Sequence, residues 1–341
     1  MATIKDVANL ANVSMTTVSI VINGKAKERK IPQRTYNKVM EAMNALNYHP
    51  NLSARRLRST ATPKPIIALY WPLDYRTNML ASFLHGIQSE LNEMNYSCEL
   101  VIRTYQNNEI AKDTNEIIKN TYDGVIIGAT SLSDLEYLES LNPRIPLVLI
   151  NRESQKYSTV SVNHDDVANK GAQLLSKKGY QQVSIVIANN PYVGASLRTK
   201  AFLNACAQNG ITIEKEHIIE IPNSTEGGIL AAKRYCEMDH PPKALFCESD
   251  SIALSMIYQF NKMGVKIPED IELLSIGLTG PESTMYSTPP ITIINMPSEK
   301  IAATAISIII DSLNQDNTDD KLSPTHKTIE PEIYIRDSFM L

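Results

Sequence analysis

From residue 66 onward, short apolar segments of β type alternate with stretches of helical length. Ten such segments occur, among them 66–71, 124–128 and 183–188, and they consist largely of Ile, Val and Leu. Strands that are apolar along their whole length are buried on both faces, which is typical of parallel sheets covered by helices. Ten strands are many for one open sheet, so we expect two α/β lobes with a cleft between them.

The first 60 residues follow a different pattern, which predicts a small all-α unit. Apolar residues recur at helical spacing from Ile4 to Ala11, and Ser14 is a good N-cap for a second helix. Pro32 suits the first turn of a third helix, which Pro50 ends. Two helices joined by a tight turn, the second beginning near Ser14, form a helix-turn-helix.

The charge of the chain divides at the same place. Residues 1–60 contain ten Lys and Arg and three Asp and Glu, a net charge of +7, whereas residues 61–341 contain 23 and 34, a net charge of −11. The whole-chain charge of −4 conceals this basic head, which suits a polyanion such as DNA. A helical cap without a ligand is the alternative for three short helices, and the local charge disfavours it.

Three segments of the head match a known pattern at nearly every fixed position. They are TIKDVANLANVSMTTVSIVIN, ALNYHPN and SARRL, and they closely resemble the DNA-binding headpiece of the LacI/GalR family of bacterial transcription regulators. The strand–helix alternation out to residues 334–336 is similar to the family's periplasmic-binding-protein-like body. The resemblance implies an N-terminal all-α helix-turn-helix headpiece and an α/β body of two lobes, with parallel sheets covered by helices.

The resemblance also implies three parts of the chain. We expect a helix-turn-helix DNA-binding domain over residues 1–49, a hinge helix and linker over 50–65, and an effector-binding and dimerisation body over 66–341. Within the body, one lobe is expected over about 66–161 with a crossover after 291. The other is expected over about 162–290 with the C-terminal segment.

DNA contacts follow from the resemblance position by position. The residues at these positions are Thr3, Ile4, Ser14, Met15, Thr16, Thr17, Ser19, Ile20, Asn23, Thr35, Tyr48, Asn51, Ala54, Arg55 and Leu57. Met15, Thr16 and Ile20 match base-reading positions, and Leu57 matches a leucine that wedges into the minor groove. Ile20 replaces a frequent arginine that donates to guanine, so the preferred half-site should differ there. The loop over 24–30 is longer than usual and is either a solvated loop or a further source of phosphate neutralisation.

The body contains a set of candidate effector contacts. They are Trp71, Arg76, Asn151, Arg198, Ser249, Asp250 and Thr279. Arg198 matches the family's effector-contacting arginine, whereas Asn151 and Thr279 replace frequent aspartates. Arg76 falls near the family's first-lobe effector contact. Fewer carboxylates, together with Arg198 and Arg76, favour an anionic effector such as a sugar phosphate or uronic acid, because arginine binds such groups as a fork. Trp71, the only tryptophan, either stacks on a ligand ring or fills the lobe core.

We therefore expect a cytoplasmic transcriptional regulator, a repressor of a carbohydrate-related operon. It would bind a near-palindromic DNA operator as a homodimer, under the control of a sugar or sugar derivative in the cleft. A plain periplasmic-type binding protein shares the body fold, but the complete headpiece and the lack of a secretory signal disfavour it. An enzyme is also disfavoured, because no P-loop, G-x-S-x-G or H-E-x-x-H motif is present. The His and Cys residues show no ligand spacing, and no apolar run is long enough to span a membrane, so no metal, cofactor or membrane is expected.

Overall fold

Two compact units make up the chain: a head, Met1–Lys64, and a body, Pro65–Leu341. The structure is a computed structural model, and it describes residues 4–22, 26, 28–46, 64–119, 121–189, 192–314 and 323–341. The hinge and linker that the sequence predicts over 50–65 therefore lie almost entirely outside the described residues.

The described part of the head is helical. Its helices are α1 (Ile4–Ala11), α2 (Met15–Ile22) and α3 (Gln33–Ala45). Their apolar faces meet in a small core in which Val7 and Val39 are fully buried. The turn between α1 and α2 is closed by a hydrogen bond from Val13 N to Ala8 O (3.0 Å), and Asn12 adopts a positive φ of 52° there, which asparagine tolerates. The predicted helix-turn-helix is confirmed.

The body contains two six-stranded sheets. The strands are β1 (Ile66–Pro72), β2 (Glu99–Tyr105), β3 (Gly124–Gly128), β4 (Leu147–Ile150), β5 (Ser158–Val162), β6 (Ser184–Ala188), β7 (Ile218–Ile221), β8 (Ala244–Cys247), β9 (Glu272–Gly277), β10 (Thr292–Asn295), β11 (His326–Ile329) and β12 (Glu332–Tyr334). The first sheet has the order β11-β5-β4-β3-β1-β2, and the second has the order β12-β10-β9-β8-β6-β7. Strand pairing is parallel except between β12 and β10.

Helices follow most of these strands and cover both sheets. They are α4 (Leu80–Glu93), α5 (Asn115–Ile118), α6 (Leu132–Ser140), α7 (His164–Lys177), α8 (Val193–Gln208), α9 (Thr225–Cys236), α10 (Asp250–Lys262), α11 (Pro281–Met285) and α12 (Ser298–Asn314). Short 3-10 helices lie over Tyr75–Met79, Ile110–Lys112 and Lys215–His217. The predicted α/β body of two lobes is confirmed, and all ten predicted strands are present.

The two edge strands β11 and β12 are additional to the predicted ten. Most of their side chains are exposed or partly exposed, and their sequences, HKTI and EIY, contain no apolar run. An edge strand buries little surface, so its sequence lacks the signal by which the central strands are recognised.

The lobe boundary near the C-terminus differs from the expected one. The expected crossover after residue 291 would remove β10 from the second lobe, but β10 pairs in parallel with β9 and is completely buried. The chain therefore crosses to the first lobe after β10, where α12 packs along α4 so closely that a Cβ at Gly86 would collide with the carbonyl oxygen of Glu299. The C-terminal segment is also divided, since β11 joins the first sheet and β12 the second.

The parallel order brings the carboxyl ends of the central strands of both sheets to the cleft between the lobes. In α/β sheets, such ends are where ligands bind. Within the described ranges, no helix combines the length and the apolar character that a membrane crossing requires.

Candidate functional site

The first turn of α2 presents polar and apolar side chains to solvent. Ser14 caps this helix, because its Oγ accepts a hydrogen bond from Thr17 N (3.1 Å) and lies 2.9 Å from Thr17 Oγ1. Met15 is 52% exposed, and Thr16 beside it is also exposed. An exposed methionine between hydroxyl groups at a helix N-terminus is available to a partner, and free N–H groups at such a terminus favour phosphate.

The other predicted DNA contacts fall into two groups. Thr17, Ser19, Ile20, Ile4 and Thr35 are partly buried on the three helices. Thr16 and Ile20 lie four residues apart on α2 and therefore share a face. The remaining predicted contacts lie outside the described residues; they are Thr3, Asn23, Tyr48, Asn51, Ala54, Arg55 and Leu57. Part of the basic loop over 24–30 also lies outside them.

In the body, a cavity lies between the lobes at the carboxyl ends of β1, β4, β8, β9 and β10. Its empty space, counted together with the part that opens to solvent, is about 860 Å³. The structure brings six of the seven predicted effector contacts together on its wall: Trp71, Arg76, Asn151, Arg198, Ser249 and Thr279. Much of the remaining wall is apolar, including Phe83, Ile150 and Met296.

The seventh residue, Asp250, lies behind this wall and is fully buried. Its Oδ2 accepts hydrogen bonds from Leu278 N (3.0 Å), Thr279 N (3.0 Å) and Thr279 Oγ1 (2.7 Å), and its Oδ1 accepts one from Ser251 N (2.9 Å). Burial raises the pKa of the Asp250 carboxyl, and these hydrogen bonds oppose that shift. Asp250 therefore positions the loop that carries Thr279 instead of contacting a ligand itself.

Arg76 lines the cavity, but the protein uses most of its donors. Its Nε donates to Asp74 Oδ1 (3.0 Å), and its Nη2 donates to Asp74 Oδ2 (2.6 Å) and Asn107 Oδ1 (2.7 Å). Its Nη1 donates to Ala129 O, and its guanidinium lies 3.9 Å from the centre of the Tyr192 ring. Since Asp74 balances its charge, Arg76 is a poor receptor for an anionic ligand.

Trp71 forms part of the cavity wall while being only 1% exposed. Its ring packs against Phe83 at a centroid distance of 4.6 Å, and its Nε1 donates to Arg76 O (3.1 Å). A Cβ at Gly128 would collide with the indole ring, so glycine is needed for this packing. Of the two roles open from sequence, Trp71 fills the lobe core and offers little surface to a ligand.

Asn151 and its neighbour Arg152 follow β4 at the same edge of the cavity. Asn151 adopts a positive φ of 52°, and its Oδ1 accepts a hydrogen bond from Val162 N (3.1 Å), so its side chain joins β4 to β5. Arg152 is 9% exposed, and its Nε and Nη1 donate to Thr130 O (2.8 Å) and Asn151 O (2.6 Å). Burial, with the positive charges of Arg76 and Arg198, lowers the pKa of Arg152 to about 10.

Arg198 reaches the cavity from α8. Among the described residues, its buried Nε has no hydrogen-bond partner. Burial lowers the pKa of Arg198, whereas the carboxylates of Glu248 and Asp250 raise it. The described residues contain no group of three or more His, Cys, Asp and Glu placed to hold a metal ion.

Both parts of the chain match known proteins. A family profile described as bacterial regulatory proteins, lacI family, matches residues 3–51, and one described as a periplasmic binding protein-like domain matches residues 172–339. The crystal structure of a LacI family transcription regulator from Clostridium acetobutylicum is 38% identical, with a TM-score of 0.75, and the match covers 80% of this chain and 100% of that one.

The chain belongs to the lacI family of bacterial regulatory proteins. The HTH-type transcriptional repressor PurR of Photobacterium profundum is 29% identical over 345 residues, which cover 99% of this chain and 98% of that protein. The lac repressor dimer bound to operator and the anti-inducer ONPF is 20% identical with a TM-score of 0.69, and the match covers 100% of this chain and 99% of that one. As a member of the lacI family, the chain is a DNA-binding transcription regulator and not an enzyme.

Several residues that line the cavity of this lacI-family regulator are not apparent from its sequence. Tyr75, Tyr192, Glu248 and Arg152 line the wall but were not among the expected contacts. Arg152 carried a usable signal, because it lies two residues beyond a buried strand, at the edge where functional side chains collect. Tyr75 opens a short 3-10 helix and Tyr192 is the N-cap of α8, and only the fold brings these two residues to the cavity.

Proposed function

We propose that this regulator is a repressor that binds a near-palindromic operator as a homodimer and responds to a small molecule in the cleft. The exposed first turn of α2, held over a buried three-helix core, carries the proposal. Residues 1–49 would bind DNA, 50–65 would form the hinge, and 66–341 would bind the effector and the second subunit. Since its partner is chromosomal DNA, we place the protein in the cytoplasm.

The wall of the cavity favours a sugar or sugar derivative as the effector. The wall combines amide and hydroxyl side chains, including those of Asn78, Asn223 and Ser251, with aromatic and aliphatic ones. Such a wall can hydrogen-bond the rim of a sugar ring while it packs against the face of the ring. The phenol of Tyr75 also lies in this wall, beside the hydroxyl group of Ser251.

An exposed apolar patch on the second lobe supports a homodimer. Tyr258 on α10 is 56% exposed, and Met285 and Tyr286 at the end of α11 are 50% and 80% exposed. Asn261 Nδ2 donates to Thr288 O (2.9 Å), which holds the end of α10 beside the segment after α11. Large apolar side chains that cluster on a surface indicate an interface, and the similar lac repressor structure is described as a dimer on its operator.

Effector binding and DNA binding would be coupled through the lobes. Closure of the cleft around an effector changes the relative orientation of the lobes, and a dimer converts this into a change in the spacing of its two heads. A near-palindromic operator has two half-sites at a fixed distance, so affinity depends on that spacing.

Selection from a genomic DNA library by the purified full-length protein tests this function. We expect enriched fragments to share a near-palindromic site bound at least about a thousandfold more tightly than unrelated DNA. Ultracentrifugation should give a dimer of the 38.0 kDa chain, and Tyr286→Glu should shift it toward monomer. Binding to all fragments alike would contradict the proposed function.

A further inference from the structure

Two arginine side chains converge on one point of the cavity. An ideal Cβ on Gly194 would lie 3.4 Å from Arg198 Nη1 and 3.9 Å from Arg152 Nη1. Arg152 comes from the loop after β4 in the first lobe, whereas Arg198 and Gly194 belong to α8 in the second. Gly194 leaves an open space between the two cations because it has no side chain.

The two arginines differ in their balance of charge. Glu248 is the carboxylate that lines the described wall of the cavity, and its field acts on Arg198. The charged groups that act on Arg152 are the guanidiniums of Arg76 and Arg198, together with the phenol of Tyr105. Its side-chain hydrogen bonds go to the carbonyl oxygens of Thr130 and Asn151, which carry no net charge. The described structure therefore places a buried guanidinium in the cleft without a counter-ion.

Glu248 does not supply the missing negative charge. Its Oε1 accepts a hydrogen bond from Ala188 N (2.6 Å), and its Oε2 accepts one from Thr199 Oγ1 (3.2 Å). Burial raises its pKa, and Arg198 is the cation that opposes this shift. The carboxylate thus faces β6 and α8, and it leaves Arg152 uncompensated.

The start of α8 adds to the positive potential at the same point. Tyr192, at the N-cap, makes no side-chain cap, and the first turn contains no acidic residue. The N–H groups of that turn and the helix dipole therefore remain available to an anion. Gly194 and Ala195 of the turn line the cavity.

His164 lies near the two arginines and is affected by their positive charge. The Nδ1 of His164 is buried and has no hydrogen-bond partner among the described residues. Burial first, and then the charges of Arg198 and Arg152, lower the pKa of His164 to about 4. His164 therefore lies in the positive field of both arginines, although the carboxylates of Glu248 and Asp250 act on Arg198.

We propose that Arg152 and Arg198 form an anion subsite above the first turn of α8, which binds a carboxylate or phosphate group of the effector. This inference rests on the proposed function, and it names the chemical class of the small molecule. Arginine presents its N–H donors as a planar fork that matches both groups. An anion here would supply the counter-ion that Arg152 lacks, and it would bind the two lobes to each other. Arg76, which Asp74 neutralises, is outside the subsite.

The test compares neutral and charged sugars as probes of the full-length protein. Glucose and galactose are matched with their 6-phosphates and uronates, and inorganic phosphate serves as the minimal anion. We expect thermal stabilisation by a charged sugar and little by its neutral parent, with calorimetry to give the affinities. The phosphate and uronate arms then show which anion the subsite prefers.

Two variants alter the subsite in different ways. Arg152→Gln removes the uncompensated charge and should weaken the charged probe roughly thirtyfold or more. Gly194→Ala keeps both charges but places a methyl group between them at ordinary contact distance, so it should fold normally and exclude the anion. Arg234→Gln, on the exposed face of α9, is the matched control and should bind like the wild type.

Stabilisation by neutral sugars alone, or by none of the probes, would overturn the subsite. The subsite would also be overturned if both Arg152→Gln and Gly194→Ala still bound the charged probe. Operator binding without probes is measured in parallel. Intact operator binding together with either negative result would therefore refute the anion subsite and leave the proposed function standing.

Discussion

Arg76 of the first lobe and Tyr192 of the second meet across the cleft, with the guanidinium 3.9 Å from the centre of the ring. Asp74 holds Arg76 in place through hydrogen bonds to Nε and Nη2, so the cation is already oriented when the ring covers it. A cation over an aromatic ring is stabilised by about 0.5–2 kcal/mol. This contact therefore joins the two lobes at the edge of the cavity.

We expect Tyr192→Leu to weaken this contact between the lobes. Without the ring, exchange of the hydrogen-bonded amides of α8 beyond its first turn should accelerate roughly two- to thirtyfold, according to the lost contact energy. Tyr192→Phe keeps a ring over Arg76 and should exchange like the wild type. Mass spectrometry measures the exchange. Equal exchange rates in the leucine variant and the wild type would show that the contact does not hold the lobes together.

Asp250→Ala is expected to destabilise the second lobe. The substitution leaves Leu278 N, Thr279 N and Thr279 Oγ1 without this acceptor in a partly buried place, which should lower the free energy of unfolding by about 3 kcal/mol. Asp270→Ala is the control, because Asp270 is exposed and accepts from Lys266 N at 2.8 Å, and it should cost less than about 1 kcal/mol. Urea titrations measure both values, and similar losses would contradict the positioning role of Asp250.

Substitution of Ser14 can separate capping from DNA contact. Ser14→Ala removes the acceptor of Thr17 N and should cost the head about 1 kcal/mol. Ser14→Asp restores a capping acceptor, so the head should regain its stability, but its charge repels phosphate and should weaken operator binding. Thermal unfolding and fluorescence anisotropy are measured on the same samples. Operator binding by Ser14→Asp at wild-type affinity would place Ser14 away from the phosphates.

Ile20→Arg is expected to change which operator is preferred. Isoleucine can only pack, for instance on a thymine methyl group, whereas arginine can donate two hydrogen bonds to guanine, a difference of about 1–3 kcal/mol at one base pair. Selection from a randomised half-site should therefore show a new guanine at one position. The same consensus for both proteins would mean that residue 20 does not read a base.

His164 should make stability depend on pH in a defined window. Its pKa is lowered from 6.5 to about 4, first by burial and then by Arg198 and Arg152, so the folded protein favours neutral His164 more than the unfolded chain does. The resulting stability is complete above pH 6.5 and is lost as the pH falls toward 4. His164→Gln should therefore lose less stability than the wild type between about pH 7 and about pH 5. Parallel losses in urea titrations of the two proteins would refute this assignment.

Local sequence determined the elements of this protein. The 3.6-residue spacing of Val7, Ala8 and Ala11 produces a helix that buries one face, and a serine before the next helix supplies its cap in any context. The central strands are apolar throughout because they are buried on both faces. Six of the seven predicted effector contacts reached the cavity because each lies at or shortly after the carboxyl end of a strand or near the start of a helix that follows one, and parallel strands end at the same edge.

The tertiary structure alone decided which charges in the cleft are balanced. Arg76 and Arg198 have the same side chain, yet Asp74 neutralises the first, while the second converges with Arg152 on the space beside Gly194. Asp250 has the sequence context of a ligand contact, but from the start of α10 its carboxylate accepts hydrogen bonds from backbone N–H groups. The spacing of apolar residues along the sequence indicates which residues are buried. The energy of a charge depends on its distance from other charges and on the water removed around it, and for Arg152 and Arg198 two segments distant in sequence set both when the lobes come together.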